Sequence, residues 1–283
     1  MGTLAFKGGA SIPTLISVRM LIATSLIGLT LISLTKLNKY RLSKLFKIER
    51  EDIKILMLSC FLLVSNLIVF WEGLASLNNI PMALGVYHTY PLWIAIMATL
   101  AFKERFGKIR LLALGLGSIG ALFAIRFLPS LTLIDINIKG VLLMLAAAIT
   151  FGGYMLTNQK LMKKYHYFTI LFYNFLACLG VYSLMQSPSI TLSQLTPDTI
   201  WYIVATGVVS TYIAYIAINI AIKKIRASNT SIISLSKPII ASILAFIVLG
   251  QTINYYQAFG IGCILLSIYL LGRRLLINER EAI

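Results

Sequence analysis

Four ionisable side chains, Arg19, Glu72, His88 and Lys237, lie inside long apolar segments of the chain. At the centre of a membrane-spanning helix, a charged group costs about 2.5–3.5 kcal/mol on insertion scales. Ionisable groups kept at such positions usually contact a substrate, carry protons or form ion pairs. These residues are therefore the first candidates for a functional site.

Lys237 directly precedes Pro238 within an apolar segment. A proline removes one backbone donor and breaks a helix locally, which frees a carbonyl group one turn earlier. A cation beside such a break could bind the anionic group of a substrate or take part in gating. The alternatives are an ion pair with Glu72 and a lysine whose amine extends to the membrane surface.

His88 lies between Tyr87 and Tyr90 and three residues before Pro91, where Tyr90 holds the place that Lys237 holds beside its own proline. Because histidine titrates near neutral pH, His88 could relay a proton. The alternative is a neutral histidine that forms a hydrogen bond inside the helix bundle. The residues predicted to line one substrate cavity here are Tyr87, His88, Tyr90 and Lys237.

Glu72 and Arg19 complete the charged set. Glu72 follows Trp71 toward one end of its segment, where a carboxylate could accept a proton or contact a cationic group of the substrate. A place in the aromatic belt of a membrane interface explains Glu72 equally well. Arg19, seven residues after Ile12, could pair with Glu72 or extend to the interface, and a structural role is the preferred interpretation.

Two uncharged residues, Asn66 and Ser234, are further cavity candidates, and Ser234 shares a helix face with Lys237 three residues later. Other polar residues in the apolar segments are interpreted as interhelical hydrogen-bonding groups, worth about 0.6 kcal/mol each. Among these are Asn158, Asn174, Tyr215 and Asn219.

Small residues recur every four positions in two rows, Ala113, Gly117 and Ala121 in one, and Ala258 and Gly262 in the other. Small side chains allow helices to approach closely. Both rows are therefore predicted to serve packing.

The composition explains why charges inside these segments are unusual. The chain of 283 residues is 59% hydrophobic and 12% charged, whereas a soluble domain is about 25% charged. Its apolar runs are long enough to cross a hydrocarbon core of about 30 Å, which takes about 20 helical residues. We predict an all-α polytopic membrane protein whose spans are 12–34, 54–75, 82–102, 110–127, 140–159, 167–186, 200–221, 229–249 and 256–272.

The net charge of +16 does not indicate nucleic-acid binding, because the basic residues fall between the apolar runs. Seven basic residues lie in 36–54 and four in 103–110, whereas 77–81, 187–199 and 250–255 have none. The positive-inside rule therefore predicts that loop 36–54 and the C-terminus lie in the cytoplasm.

One helical unit occurs twice in the chain. Pro238 follows Pro91 by 147 residues, and Gln251 follows Glu104 by the same distance. Lys103–Lys108 after the first copy has a cytoplasmic composition, whereas 250–256 after the second copy has an external one. The two copies thus run in opposite directions, which is typical of the inverted repeats of secondary transporters.

Inversion requires an odd number of helices in each copy, so two five-helix repeats are predicted, 1–135 and 136–283. The first repeat shows four spans and an apolar stub at 1–9, which matches the end of helix 140–164. We interpret the stub as the remnant of a truncated first helix, and a misplaced start codon or a truncated sequence would explain it. A genuine nine-helix protein is the alternative.

In order and spacing, three sets of residues resemble the EamA-type permeases of the drug/metabolite transporter superfamily. The sets are Ile12-Pro13 with Arg19, Met82-Ala83-Leu84 before Pro91 and Lys103-Glu104-Arg105, and Asn229-Thr230-Ser231 before Pro238 and Gly250-Gln251.

The resemblance implies a ten-helix fold with both termini in the cytoplasm and a central cavity lined mainly by the first four helices of each repeat. It also implies export or uptake of a small molecule by alternating access. Gln251, Glu72 and Lys237 depart from the usual pattern of the family, and this leaves the class of substrate open.

The expected function is thus secondary transport of a small metabolite or drug, and the alternative is an intramembrane enzyme or a membrane receptor or scaffold that does not transport. An enzyme is disfavoured because Asp52, Asp135 and Asp198 are isolated, and no nucleophile elbow or phosphate-binding loop is present. We expect no catalytic residue, cofactor or metal. The expected partners are a small-molecule substrate and the lipid bilayer, and a homodimer is left open. The expected location is a bacterial plasma membrane.

Overall fold

The computed structural model describes residues 12–36, 46–77, 80–104, 106–124, 137–185, 197–240, 243 and 254–281. Within these ranges the chain forms helices and turns without any strand. The predicted stub at 1–9, the predicted repeat boundary at 135/136 and most of the 250–255 loop lie outside them.

Ten α-helices and one π-helix are named here in chain order. They are α1 (Ile12–Lys36), α2 (Arg50–Leu77), α3 (Ile80–Tyr87), α4 (Tyr90–Phe102), α5 (Lys108–Ala124), α6 (Ile138–Leu161), α7 (Tyr167–Met185), α8 (Pro197–Ala205), the π-helix (Thr206–Ile213), α9 (Ala214–Ser234) and α10 (Tyr255–Glu281).

Seven helical segments of the described chain are long and apolar enough to span a membrane. They coincide with predicted spans, which confirms an all-α polytopic membrane protein. The predicted span 110–127 corresponds to α5, which is 17 residues long. The span predicted at 229–249 is described only as far as 240 and at 243, so the ten-helix count stays a prediction.

Arg226 interrupts a helical stretch that is too long for one span. The segment Ile203–Ser234 contains 32 residues, about 48 Å at 1.5 Å per residue, against a hydrocarbon core of about 30 Å. Arg226 has φ 69° and ψ 159°, a non-helical conformation inside α9. The break falls in the basic stretch 223–226, where the sequence predicts a connection between two spans.

Both prolines of the repeated unit follow a helix break. Helix α3 ends at Tyr87, a turn occupies His88 and Thr89, and α4 restarts at Tyr90 with Pro91 in its first turn. A turn likewise occupies 235–236, and helix resumes at Lys237 before Pro238. The turns are 147 positions apart, and each lies just before one of the two prolines at which the sequence predicts a helix break.

The described residues form two compact units. Unit 1 contains the residues up to Ser65 and Thr157–Lys224, and unit 2 contains Asn66–Leu156 and the residues from Ile225 on. The limits of the units therefore fall inside α2, α6 and α9, and each unit draws on both predicted repeats.

In unit 1, α1 packs against α7 and the π-helix. A fully buried polar network lies in this unit. The Ser59 hydroxyl donates to Asn158 Oδ1 at 2.7 Å, and Asn158 Nδ2 donates to Asn219 Oδ1 at 3.0 Å. Asn174 Nδ2 lies 3.4 Å from Asn158 Oδ1. The interpretation of these asparagines as interhelical hydrogen-bonding groups is confirmed.

In unit 2, α5 packs along α10 at very short range. The row Ala113, Gly117 and Ala121 is buried in this contact, as predicted. The prediction for Ala258 and Gly262 is wrong, because both are exposed. Helix α10 instead turns Gly260, Ile264 and Ser267 toward α5, and Ser267 donates to Ala113 O at 2.6 Å.

Candidate functional site

Unit 2 brings several aromatic rings together beside the break between α3 and α4. We call this group the aromatic cluster, and it consists of Phe70, Tyr87, Tyr90, Phe151 and Tyr154. Helix α2 contributes the first ring, the end of α3 and the start of α4 the next two, and α6 the last two. Three separate chain segments thus build one apolar surface.

Tyr90 and Phe151 form the buried core of the cluster. Their ring centroids lie 5.2 Å apart with the ring planes at 89°, an edge-to-face pair. Tyr90 is fully buried and Phe151 is 4% exposed. The Tyr87 centroid lies 5.6 Å from Tyr90 and 4.9 Å from Phe70.

Lys237 extends its amine over this buried core. Its Nζ lies 5.9 Å from the Tyr90 centroid and 5.7 Å from the Phe151 centroid, within cation–π range. The residue itself is exposed, whereas both rings are buried.

The charge of Lys237 is only partly compensated by these rings. A cation–π contact near the 6 Å limit stabilises by about 0.5–1 kcal/mol. Two such contacts do not offset the cost of placing an ammonium group inside a membrane, which is roughly 2.5–3.5 kcal/mol. None of the ion pairs within the described residues includes Lys237. An anionic group placed at the amine would supply the missing compensation.

His88 lies in the turn between α3 and α4 and is 8% exposed. Its Nδ1 is 2.6 Å from the Leu84 carbonyl oxygen. Since a carbonyl can only accept, Nδ1 carries a hydrogen in this contact, which leaves Nε2 of the neutral ring as an acceptor. Its ring centroid lies 6.0 Å from Tyr87 and 6.2 Å from Tyr90, at the edge of the aromatic cluster.

Ser234 ends α9 at the second helix break, three residues before Lys237. Unit 2 therefore gathers five of the residues predicted to line the cavity, which are Tyr87, His88, Tyr90, Ser234 and Lys237.

Asn66 lies in unit 2 as well, but its contact is with a helix backbone. It is 3% exposed, and its Nδ2 donates to Ala147 O at 2.7 Å, one turn before Phe151. Close contacts of Gly73 with Met144 and of Gly152 with Ile94 also hold α6 in place. Asn66 thus positions the helix that presents Phe151.

Glu72 and Arg19 are not part of the aromatic cluster as described. Glu72 is exposed on α2 next to Trp71, whose ring packs on Phe70 at 5.6 Å. Arg19 belongs to unit 1 and lies on α1. Neither residue takes part in an ion pair with another described residue.

Phe70, Phe151 and Tyr154 are not among the residues that the sequence predicts for the cavity. Phe151 and Tyr154 are three residues apart around Gly152 and Gly153, so they share a helix face. That spacing next to two glycines was the available signal. No group of three metal-binding side chains was found in the described part of the chain.

A polytopic helical fold with polar residues beside two broken helices is typical of membrane transporters. A structural comparison agrees on the fold. A solved crystal structure of a protein superimposes on this chain with a TM-score of 0.74 and 17% sequence identity. The alignment covers 95% of this chain and 91% of the other chain.

The model of the EamA-like transporter family matches residues 138–273. Two uncharacterized transporters of Archaeoglobus fulgidus are each 23% identical to the chain. One alignment covers 75% of this chain and 75% of the relative, and the other covers 65% and 64%. These matches support a membrane transporter and agree with the resemblance to EamA-type permeases that the motifs indicated.

Proposed function

We propose that this permease is a secondary transporter without enzymatic activity, which moves a small solute by alternating access. The solute would carry an anionic oxygen and a flat apolar body. The observation that supports this proposal is the Lys237 amine, which lies over the buried Tyr90 and Phe151 rings without a carboxylate partner among the described residues.

Each side chain of the site has a role in this proposal. The Lys237 ammonium binds the anionic oxygen, and the exposed edges of the aromatic cluster receive the apolar body. His88 Nε2 accepts a hydrogen bond from a donor of the solute, such as an amine or hydroxyl, because its Nδ1 is engaged by Leu84.

Uptake into proteoliposomes tests the role of Lys237. The labelled panel should include amino acids, aromatic carboxylates, nucleosides and cationic drugs. We expect flux of anionic or zwitterionic aromatic solutes, a loss of about tenfold or more with Lys237→Gln, and partial retention with Lys237→Arg. Lys139→Gln is the matched control, because Lys139 is an exposed lysine of the same unit.

Two results would contradict the proposal. Unchanged flux in Lys237→Gln would remove Lys237 from the solute site. Preferential flux of cationic drugs would contradict the predicted substrate class, since an ammonium repels them. Counterflow of the preferred solute, driven by unlabelled solute on the opposite side, tests alternating access.

We also propose that the C-terminus lies in the cytoplasm and that the membrane is a bacterial plasma membrane. The alternation of basic-rich and basic-poor connections supports this orientation. Accessibility tags in the 103–110 and 250–255 loops should report opposite faces of the membrane. Tags on the same face would argue against the inverted repeat.

A further inference from the structure

A buried carboxylate lies just after α4, in the connection to α5. Glu104 is 6% exposed, and its Oε2 lies 3.0 Å from Nη2 of the buried Arg110 on α5. The hydroxyl of Ser228, a buried residue of α9, donates to the same Oε2 at 2.7 Å and accepts a hydrogen bond from Arg110 Nη2. We call Glu104, Arg110 and Ser228 the Glu104 cluster. It lies in unit 2 and ties the α4–α5 connection to the part of α9 that follows the break at Arg226.

The backbone has unusual conformations on both sides of the Glu104 cluster. Among the described residues, the non-glycine residues with positive φ are Lys103, at 51°, and Arg226, at 69°. Lys103 directly precedes Glu104, and Arg226 lies two residues before Ser228. With its ψ of 159°, Arg226 adopts a combination that is almost confined to glycine. Such strain persists only where surrounding contacts maintain it, and it is frequent in segments that switch between conformations.

The second carboxylate oxygen of Glu104 links the cluster to this strained residue. Arg226 Nη1 lies 3.9 Å from Glu104 Oε1, at the limit of an ion pair. This oxygen is buried and forms no hydrogen bond, which costs stability. The Glu104 cluster therefore combines a strong contact at Oε2 with two unfavourable features, the bare Oε1 and the strained backbone of Arg226.

The sequence has the charged pair in only one copy of the predicted repeat. The residues 147 positions after Glu104 and Arg110 are Gln251 and Gln257, which are both uncharged. A buried ion pair is often no more stabilising than neutral residues of similar size. The ion pair is thus a feature of the first copy, in the basic-rich connection 103–110.

The Glu104 cluster holds the helical segment that leads to the candidate site. This segment, residues 227–234, is followed by a turn and by Lys237. Its Ile232 belongs to one buried apolar cluster with Ala95 of α4 and Ala113 of α5. Because a short helix moves as one body, a shift of segment 227–234 displaces the residues that follow it.

We propose that the Glu104 cluster is a latch that holds segment 227–234 against α4 and α5 and opens while the rest of the chain stays folded. The closed state has the ion pair and the Ser228 hydrogen bond. The open state gains the hydration of both charges and an unstrained backbone at Arg226. Two packings that differ by opposing terms of this kind form a bistable element. The latch depends only on contacts within unit 2 and does not require an anionic solute.

Thiol labelling of the full chain in proteoliposomes tests the latch. Ser231→Cys places a thiol at a fully buried position of the segment, outside the Glu104 cluster, and Cys60→Ala with Cys263→Ala removes the two partly buried native thiols. Cys178, fully buried in unit 1, remains as the control for global unfolding. We expect N-ethylmaleimide to label position 231 faster than Cys178, because the labelling rate follows the fraction of open molecules. Equal rates at the two positions would overturn the proposal.

A neutral double variant distinguishes a latch from a pair that only stabilises the fold. Glu104→Gln/Arg110→Gln introduces the residue types of the second copy and removes both charges together, so that neither is left buried alone. We expect labelling at position 231 to become about tenfold faster while Cys178 stays protected. The control Glu51→Gln changes an exposed carboxylate and should alter the rate by less than about twofold. An unchanged rate at position 231 in the double variant, or an equal increase at Cys178, would contradict the latch.

Arg226→Gly tests the strain with the opposite sign. Glycine adopts this backbone conformation without strain, so the closed state is favoured and position 231 should be labelled about fivefold more slowly. A change that merely loosened unit 2 would speed labelling instead. Labelling at an equal or higher rate in Arg226→Gly would overturn the latch. None of these measurements uses a solute, so failure of the latch is distinguishable from failure of the Lys237 site.

Discussion

The contact between α5 and α10 depends on glycines, and one added methyl group tests it. Gly260 is buried, and a Cβ placed on it would lie 2.5 Å from Ala124 N and 2.6 Å from Gly120 O. Both of these are backbone atoms, so no rotation of a side chain relieves the overlap. Gly260→Ala must therefore separate the helices or bend one of them.

The magnitude follows from these distances. Ordinary contact begins near 3.4 Å, so the closest approach of 2.5 Å requires a shift of about 0.9 Å. Overpacking of this kind costs about 1–3 kcal/mol, and the better helix propensity of alanine offsets about 0.5–1 kcal/mol. We expect Gly260→Ala to lower the free energy of unfolding by about 1–2 kcal/mol.

Gly262→Ala is the matched control, two residues away on the same helix. Gly262 is exposed, and no atom is found within 4 Å of its added Cβ. This substitution should raise the free energy of unfolding by about 0.5–1 kcal/mol, because alanine has a higher helix propensity than glycine.

The assay is reversible denaturation of the purified protein in mixed micelles, followed by circular dichroism. The two alanine variants should change stability in opposite directions. A shift of the same sign and size in both would refute the close approach of α5 and α10. The double variant Gly120→Ala/Gly260→Ala should cost less than the sum of its single changes, because the first methyl group already separates the helices.

The same denaturation assay checks three other contacts. Glu104→Gln removes the countercharge of the buried Arg110, 3.0 Å away, and should lower the free energy of unfolding by about 3 kcal/mol. The control Glu51→Gln changes an exposed carboxylate and should alter the free energy of unfolding by less than about 0.5 kcal/mol. Equal effects of these two changes would contradict this reading. Arg226→Gly should stabilise by about 1 kcal/mol, because φ 69° with ψ 159° is strained for any residue but glycine, and destabilisation would show that the strain is absent. Asn158→Ala should cost about 1–2 kcal/mol through lost buried hydrogen bonds, and a change below about 0.3 kcal/mol would contradict that role.

The sequence predicts the helix breaks well because their cause is local. A proline lacks the backbone donor and forces its neighbours out of the helical pattern wherever it lies in the chain. The breaks before Pro91 and Pro238 therefore need no tertiary information, and both are present. The same holds for the apolar spans, whose length follows from the thickness of the bilayer.

Helix rotation is not predictable in the same way. Ala258 and Gly262 form a small-residue row, yet α10 turns Gly260 toward α5 instead. In a helix that is apolar all round, periodicity does not distinguish the face toward a neighbour from the face toward lipid. The choice between two small-residue faces is made by the shape of the partner helix, which the sequence of α10 does not contain.

The candidate site shows the same division. Tyr87, His88 and Tyr90 are predictable because they lie beside the break, whereas Phe151 comes from a helix more than 60 residues away in the sequence and meets Tyr90 only through folding. Asn66 was selected as a polar residue in an apolar span, and its partner, the Ala147 carbonyl group, carries no sequence signal at all. Packing partners are the part that the sequence leaves open.

The anionic group of the proposed solute rests on the surroundings of Lys237. Lys237 lies in an apolar segment of unit 2, and none of the ion pairs among the described residues includes it. Glu104 shows that this fold can neutralise a buried arginine when stability requires it, since it pairs with Arg110 at 3.0 Å. Under the proposed function, the anionic group of the solute would give Lys237 the countercharge that Glu104 gives Arg110.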